Sequence, residues 1–436
     1  MRLRAVLVAM SLILILASCS KDTPKETVTL KVATYSSKNF ERDFGLAFRE
    51  ANPHIRLEYT GIPDIANNES AVQRWMNEEQ PDLIVSGGYF YYSLVEAGIV
   101  VSLDGLVQRH GYDLAGYPAS VMASLKPAAG DDALYGIPSD IHSLALFYNK
   151  AIFDRYRLDY PSDGMTWSDL MRVAASFPDE DDQGNKQYGL VSAGKNAADS
   201  RLFQLIEYAG RTEWLAPADM NGQAGTLHTE AWTAIWNSII EGYRAGAIDF
   251  VPIREEEDQP FEGVISTEKY WPFLEGQAAM ILANSDLLPL LRMDDAMKDW
   301  GMAAPPGTYQ AFLQPADIYS IAKQSSVQEE AWALLEFANS DAIARQKAAV
   351  KNQFTGMIPA KIAIPESSWK LDLSPFYSQE VVPKGLFLYD AIPEEAYAFY
   401  SEQAVRAVGD VLAERQTVEE ALASLEALLT AELRRQ

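Results

Sequence analysis

The only thiol in the chain stands where a short export signal would end. Residues 1–18 begin with two arginines, continue as an apolar run over residues 5–16, and end in Ala17 and Ser18, directly before Cys19. Small residues admit a signal peptidase, and a thiol placed directly after them is the one nucleophile that could accept a diacylglyceryl group. The apolar run is shorter than the about 20 residues that span a bilayer. We therefore predict a lipoprotein signal peptide with Cys19 as the lipidated first residue; an ordinary secretory signal with a chance cysteine is the alternative.

Other patterns that could carry chemistry are weak. The four histidines are scattered, with no second ligand at a metal-binding spacing, so we expect no metal and no cofactor. Residues 179–184 begin like a calcium loop, but Gln183 and Leu190 occupy its fifth and twelfth positions, which favours a solvated turn. Neither a G-x-S-x-G elbow nor a phosphate-binding glycine loop is present. We expect no catalysis, although a surface glycosidase stays open because a carboxylate pair cannot be read from one sequence.

Polar and aromatic side chains follow apolar strands at three points along the chain. These strand-end candidates are Ser36, Ser37, Gly88, Tyr89, Phe90, Asn284, Ser285 and Asp286. In open α/β sheets, ligands bind outside the carboxyl ends of the strands. Hydroxyls, amides, carboxylates and aromatic faces at such an edge would bind a ligand by hydrogen bonds and stacking. The alternative for the aromatic cluster at residues 89–92 is core packing under a helix.

The elements that must position these side chains alternate along the chain. Residues 28–32 alternate apolar and polar, as a strand does, and Phe40, Phe44 and Phe48 recur at the spacing of one helix face. A second alternation at residues 55–59 and a later helix precede a compact buried strand at residues 81–86. This order predicts an α/β fold with a doubly wound, mostly parallel sheet.

Three helix starts are predicted by a hydroxyl residue placed three positions before a carboxylate. They begin at Thr166, Ser326 and Thr417. The last helix also carries leucines on one face, which predicts that it packs on the body of the protein. These leucines are Leu422, Leu425, Leu428 and Leu429.

Charge and length limit the function classes. Loss of residues 1–18 removes Arg2 and Arg4, so the net charge falls from −25 to −27, a balance that repels nucleic acid. Residues 20–26 form a polar tether after the lipid. With no second thiol, the chain has no internal disulfide and depends on apolar cores. A chain of this length usually divides into two domains.

Several motifs in a fixed order resemble the extracellular solute-binding proteins, family 1, of ABC sugar importers, which are similar to maltose-binding protein. The central motifs are DALYGIP at residues 132–138 and LALFYNK at residues 144–150. Further matches are QPDL at 80–83, LVEAG at 94–98, TWSDL at 166–170, FLEGQAAM at 273–280 and AWALLEF at 331–337. The likeness spans residues 27–434, so coincidence is a poor explanation.

The resemblance implies a two-lobe periplasmic-binding-protein-like type II fold, in which each lobe is a mostly parallel sheet flanked by helices and the ligand cleft lies between the lobes. We place three crossovers near residues 140–142, 314–317 and 357–364. The predicted segments are 1–18 signal peptide, 19–26 lipidated tether, 27–141 and 316–364 first lobe, and 142–315 and 365–436 second lobe. The implied function is an extracytoplasmic receptor, anchored to the membrane through Cys19, that delivers a sugar to ABC permease subunits. We expect it to act as a monomer.

Matching the cleft positions of the family adds further candidates. These are Ser139, Asp140 and His142 at the first crossover, Asp317 after the second, and Tyr397 and Tyr400 on a late helix. The alternatives are hinge hydrogen bonds to the backbone for the first three and core packing for the tyrosines. Acidic side chains at Asp140, Asp286 and Asp317 suit a ligand rich in hydroxyls, or a cationic one, better than an acidic sugar. A same-fold receptor for a polyamine, a peptide or another small solute is therefore the second hypothesis.

Overall fold

The structure is a computed structural model that describes residues 26–65, 68–126, 132–194, 198–252, 270–293, 299–349, 357–362, 371–381 and 392–436. The predicted signal peptide and Cys19 lie outside the described residues. Ten strands are described: β1 Val28–Thr34, β2 Ile55–Gly61, β3 Leu83–Ser86, β4 Ile137–Asn149, β5 Tyr188–Gly194, β6 Ile248–Pro252, β7 Ala278–Asn284, β8 Trp300–Ala303, β9 Leu313–Ile321 and β10 Ile358–Pro359.

Helices flank these strands, in the alternating order predicted. They are α1 Ser37–Phe40, a π-helical segment Glu41–Gly45, α2 Leu46–Ala51, α3 Glu69–Glu79, α4 Gly88–Glu96, α5 Asp104–His110, α6 Ala119–Ser124, α7 Lys150–Tyr156, α8 Trp167–Ala174, α9 Ala198–Thr212, α10 Glu230–Arg244, α11 Trp271–Leu274, α12 Leu287–Met293, α13 Gln328–Ala338, α14 Asp341–Ala349, α15 Glu394–Leu412 and α16 Val418–Leu433. A short 3₁₀ helix covers Ser374–Phe376.

The strands form one continuous sheet in the order β2-β1-β3-β9-β4-β7-β5-β6, with β8 and β10 paired to β4. We call the part built on β1, β2 and β3 the first lobe and the part built on β5, β6 and β7 the second lobe. Each set of three is parallel. The antiparallel strands β4 and β9 join the two sets, so the sheet is mixed at its centre and parallel in each lobe.

Strand β4 passes from one lobe to the other without a break. Its residues up to Ser143 pair with β9, while Leu144 and the residues after it pair with β7. The pairing partner therefore changes between Ser143 and Leu144, close to the first predicted crossover. The exact lobe limits given from the sequence stay predictions.

Both faces of the sheet are covered by apolar side chains. Adjacent residues of one strand belong to different clusters, as the period of two requires: Val32 packs in one cluster and Ala33 in another. In the second lobe, Phe147 and Leu146 divide in the same way. Burial of both faces explains why the strands carry short continuous apolar runs.

Local sequence signals set most element ends. Thr166 and Thr417 each form a capping box with the carboxylate three residues on, as predicted. The prediction at Ser326 is wrong, because α13 begins with Val327 as a cap that has no side-chain bond, and the Ser325 hydroxyl accepts the Val327 N–H at 3.2 Å instead. On α16 the predicted apolar face is buried except for Leu428, which is exposed.

A glycine in β5 marks a tight contact between the second-lobe sheet and α8. A methyl group at Gly189 would overlap the backbone carbonyl of Ala174, which no side-chain rotation can relieve. We expect Gly189→Ala to lower the free energy of unfolding by about 1–3 kcal/mol, as overpacking does. Thermal unfolding of this variant measures the loss.

Gly105→Ala is the matched control, because nothing lies within 4 Å of the added carbon in α5. Alanine is the better helix former by about 0.5–1 kcal/mol, so this control is expected to keep or raise the melting temperature. Equal melting temperatures for the two variants would contradict the close packing of β5 on α8.

Candidate functional site

The carboxyl ends of the parallel strands in both lobes meet at one place. In the first lobe β1, β2 and β3 run in the same direction, and the start of β9 extends beyond the end of β3 because Ser86 pairs with Ile318. In the second lobe β7 ends at Asn284, which pairs with Leu144. Both edges therefore face the stretch of β4 between them, where open α/β sheets bind ligands.

Paired segments of β4, β9 and β10 lie between the two edges and form the base of the site. We call residues 139–143 of β4, with the paired residues of β9 and β10, the crossover ladder. Pro138 still pairs within the first lobe at the level of Ser86, and Leu144 already pairs with the second. At 3.3 Å per residue the two edges are separated by roughly 20 Å along β4.

The first-lobe rim is formed by the residues after β1 and β3. Ser36 caps α1 through its hydroxyl, which accepts the Asn39 N–H at 3.3 Å, and Ser37 is exposed beside it. The half-buried Gly88 begins α4, and the Tyr89 ring is 73% exposed.

The two neighbouring aromatic residues of this rim have opposite environments. Phe90 is buried, with its ring packed edge-on against Trp75 at 5.5 Å. The structure therefore assigns core packing to Phe90 and leaves Tyr89 as the residue of the pair that offers a face to a ligand.

The second-lobe rim is formed by the residues after β7. The side-chain Oδ1 of Asn284 accepts the Tyr270 hydroxyl at 2.7 Å, and Ser285 is fully buried, donating its backbone N–H to the Ser143 backbone carbonyl at 2.9 Å. Asp286 lies 3.7 Å from His142, measured from Oδ1 to Nδ1. Burial, with Asp286 nearby, raises the pKa of Tyr270.

The remaining predicted site residues of β4 and β9, Ser139, Asp140, His142 and Asp317, lie in or next to the crossover ladder. His142 and Asp317 are half-buried, whereas Asp140 is only 5% exposed and accepts the Ser139 hydroxyl at 2.5 Å. Asp317 has a φ of 47°, in the left-handed region that costs most residues about 1–2 kcal/mol, although aspartate tolerates it better. Strained backbone of this kind is typical of functional positions.

The two tyrosines of α15 lie elsewhere, on the helix pair α9 and α15. Tyr400 is buried against Phe203 with 5.6 Å between ring centroids, so the structure assigns it to the core. Tyr397 is half-buried and donates its hydroxyl to Glu207 Oε2 at 2.8 Å. Burial and the Glu207 carboxylate raise the pKa of Tyr397 to about 12.

The sequence that builds this site is matched by a family model. Residues 45–372 match the model of the bacterial extracellular solute-binding proteins, which is most of the chain. The chain belongs to this family. The resemblance stated from the sequence motifs is therefore confirmed. This chain is also similar to a curated protein of Brucella abortus that is named, by inference only, a binding protein. The two are 24% identical over 312 residues, which cover 71% of each chain.

Solved structures confirm the two-lobe fold of this solute-binding protein. The extracellular solute-binding protein family 1 from Alicyclobacillus acidocaldarius superposes with a TM-score of 0.65 at 15% identity, covering 94% of this chain and 99% of the other. The sugar-binding protein MalE from Xanthomonas citri superposes with a TM-score of 0.61 at 17% identity, covering 93% and 98%. At these identities the likeness concerns the fold alone.

Sequence reasoning missed Tyr35, which stands directly after β1 with its ring 59% exposed. Partial desolvation raises the pKa of its phenol, the Gly87 N–H opposes this shift, and Asp64 and Asp317 raise it further. Tyr35, Asp64 and Gly87 follow β1, β2 and β3, and Asp317 lies in β9. An aromatic face and carboxylates are therefore combined at the first-lobe rim. The strand-end rule that selected Ser36 would have included Tyr35.

Sequence reasoning also missed a buried group of hydrogen bonds centred on Ser143, which we call the Ser143 node. The Ser143 hydroxyl donates to the Phe376 carbonyl at 2.9 Å and accepts from Gln310 Nε2 at 3.1 Å. The Ser143 carbonyl accepts the Ser285 N–H. One serine thus joins β4, the approach to β9, the segment around the 3₁₀ helix and the second-lobe rim.

Three further findings concern the described part of the chain only. No group of three or more metal-binding side chains there is close enough to hold an ion. At the former calcium-loop candidate, Asp181 Oδ1 accepts the backbone N–H groups of Gln183 and Asn185 at 2.9 Å each, which is a turn closed on itself. No helix among these residues has both the length and the apolar character needed to cross a bilayer.

The Ser143 node gives a stability prediction. Ser143→Ala removes the donor to the Phe376 carbonyl and an acceptor from Gln310, leaving buried polar groups unpaired. We expect the free energy of unfolding to fall by about 1–3 kcal/mol. Chemical denaturation measures it.

Ser124→Ala is the matched control, since this hydroxyl is equally buried but bonds only the Val121 carbonyl within its own helix, at 2.7 Å. A loss for Ser143→Ala no larger than for Ser124→Ala would show that the node does not join the segments as described.

Proposed function

We propose that this chain is the lipid-anchored receptor of an ABC importer, which captures a sugar or oligosaccharide between its lobes and delivers it unchanged to the permease. One observation carries the proposal: polar and aromatic residues at the strand ends of both lobes lie at the two ends of a shared base formed by β4, β9 and β10. A site built from two lobes binds by closing on its ligand.

The chemistry of the rim suits a ring of hydroxyls with apolar C–H faces. Tyr35 and Tyr89 offer exposed aromatic faces for stacking on such a ring. Asp317 on one side and Asn284 and Asp286 on the other offer acceptors, and Asn284 also offers donors, for paired hydrogen bonds with hydroxyls. With acceptors on both rims, one ligand would contact both lobes.

Closure follows from the way the lobes are joined. Within the described sheet the two sets of parallel strands are linked through two paired strands, β9, which pairs with β3, and β4, which pairs with β7. A ligand that contacts both rims favours the closed form by the free energy of the contacts it gains there. The permease can then distinguish the loaded receptor from the empty one.

The relatives support a sugar as ligand. The Xanthomonas citri protein, similar over nearly the whole chain, is named a sugar-binding protein. Solute-binding folds accept other ligands as well, and the site, not the fold, decides.

A cationic solute is the second candidate, favoured by Asp64 and Asp317 around Tyr35. Aromatic faces beside carboxylates bind alkylammonium groups through cation–π and Coulomb attraction. A polyamine or a basic peptide would use these contacts. We expect neither ligand to be turned over.

A ligand panel tests the proposed function directly. We expect at least one neutral mono- or oligosaccharide to raise the melting temperature, because a ligand that binds only the folded state at 100 times its Kd adds about 2.7 kcal/mol. Tyr35→Ala is expected to weaken that binding about 2- to 10-fold through loss of stacking. Isothermal titration measures the change.

Tyr160→Ala is the control, since Tyr160 is also an exposed tyrosine but stacks on Tyr148 and bonds Asp154. Its affinity for the sugar should stay at the wild-type value. A shift with polyamines or peptides and with no carbohydrate would replace the sugar assignment by the second candidate. Appearance of hydrolysis products would end the receptor proposal.

The anchor gives a separate prediction. Cys19→Ser removes the acceptor thiol, so we expect the protein to leave the membrane fraction and to lack the mass of a diacylglyceryl group. Ser18→Ala keeps a small residue at the same place and should remain anchored. Membrane fractionation and intact mass spectrometry measure both effects. Lipid found on the Cys19→Ser protein would refute Cys19 as the lipidated residue.

A further inference from the structure

A small polar cavity lies in the first lobe, beside the crossover ladder. It is lined by Tyr117, Asp140, Asn339, Pro359 and Lys361, among others, and has room for about one water molecule. Asp140 belongs to β4, and Pro359 in β10 pairs with it. Asn339 stands between α13 and α14. With the segment that contains Tyr117, four separate segments of the chain therefore meet at this cavity.

One wall of the cavity carries a buried acceptor whose oxygen receives no hydrogen bond from the described residues. Asn339 is 6% exposed, and its Nδ2 donates to the Leu335 carbonyl at 2.9 Å. Its Oδ1 accepts no hydrogen bond. Buried polar atoms in native proteins are paired with protein or with ordered water, so this oxygen indicates a missing donor.

Two other residues that line the cavity, Asp140 and Lys361, have side chains of opposite charge type. Asp140 is 5% exposed and accepts the Ser139 hydroxyl, and the two oxygens of a carboxylate can accept about four hydrogen bonds in all. The Lys361 ammonium lies 3.1 Å from Asp341 Oδ1, and its side chain is 15% exposed. An ammonium has three N–H donors, so this ion pair leaves donors for a second acceptor.

We propose that the cavity holds one buried water molecule that accepts a hydrogen bond from Lys361 and donates to Asn339 Oδ1 and to the Asp140 carboxylate. A buried water typically makes about three hydrogen bonds, which is the number that this arrangement assigns to it. A metal cation fits less well, because the Lys361 ammonium lines the same small space and would repel it.

This water would tie β10 and the link between α13 and α14 to the strand that crosses between the lobes. All three segments lie on the first-lobe side of the change in pairing at Ser143. The water therefore belongs to the fold of that lobe. It should be present without any ligand, so the inference does not depend on the proposed function.

A high-resolution crystal structure of the ligand-free protein tests the proposal directly. We expect one peak about 2.7–3.2 Å from both Asn339 Oδ1 and a carboxylate oxygen of Asp140. An empty cavity would overturn the proposal. So would a peak that gains anomalous signal after a rubidium soak, because that occupant is a cation.

A pair of variants tests the same point in solution. Asn339→Leu removes the acceptor and fills the space, so water is expelled while Asp140 and Lys361 lose their bridge. We expect its melting temperature to fall at least about 2–4 °C further than that of Asn52→Leu. Asn52 is matched because its Nδ2 makes the same bond to the carbonyl four residues back, Phe48, at 3.1 Å.

A higher melting temperature for Asn339→Leu than for the wild type would overturn the proposal, because filling a dry cavity and removing an unpaired acceptor stabilises a protein. If the variant does not fold, the crystal structure of the wild-type protein still decides.

Discussion

A buried serine at the point where the chain passes between the lobes constrains the whole molecule. Where β4 changes its pairing partner from β9 to β7, the buried polar groups at the junction must be paired. Ser143 solves this through its hydroxyl and carbonyl, which pair with Phe376, Gln310 and Ser285. The proposed opening and closing would have to keep these polar groups paired.

Most of the fold was predictable because its signals are local. The alternation at residues 28–32 and the capping boxes at Thr166 and Thr417 depend on neighbours a few positions away. The cap predicted at Ser326 is wrong because Val327 takes the N-cap position without a side-chain bond, while the Ser325 hydroxyl bonds the Val327 N–H outside the helix. The π-helical turn Glu41–Gly45 gave no signal, since the phenylalanine spacing fits either helix type.

The candidate site was only partly predictable, for a different reason. The strand-end rule is topological, so it located the rims at Ser36 and Asp286 without knowledge of packing. It could not separate Tyr89 from Phe90, because the contact that buries Phe90 comes from Trp75 on another helix. The hydrogen bond between Ser143 and Gln310 joins residues 167 positions apart, and the sequence near either residue contains no pattern that predicts it.

Under the proposed closure, the contacts at the base of the site are too weak to hold the lobes together without a ligand. His142 and Asp286 lie on either side of the change in pairing and approach to 3.7 Å, yet both are partly exposed, and such pairs contribute about 0–1 kcal/mol. A contact of that size cannot shift two forms from mostly open to mostly closed, which takes about 5.5 kcal/mol. The remainder must come from groups that touch both rims at once. A solute with hydrogen-bonding groups on opposite sides meets this requirement, and a small apolar one does not.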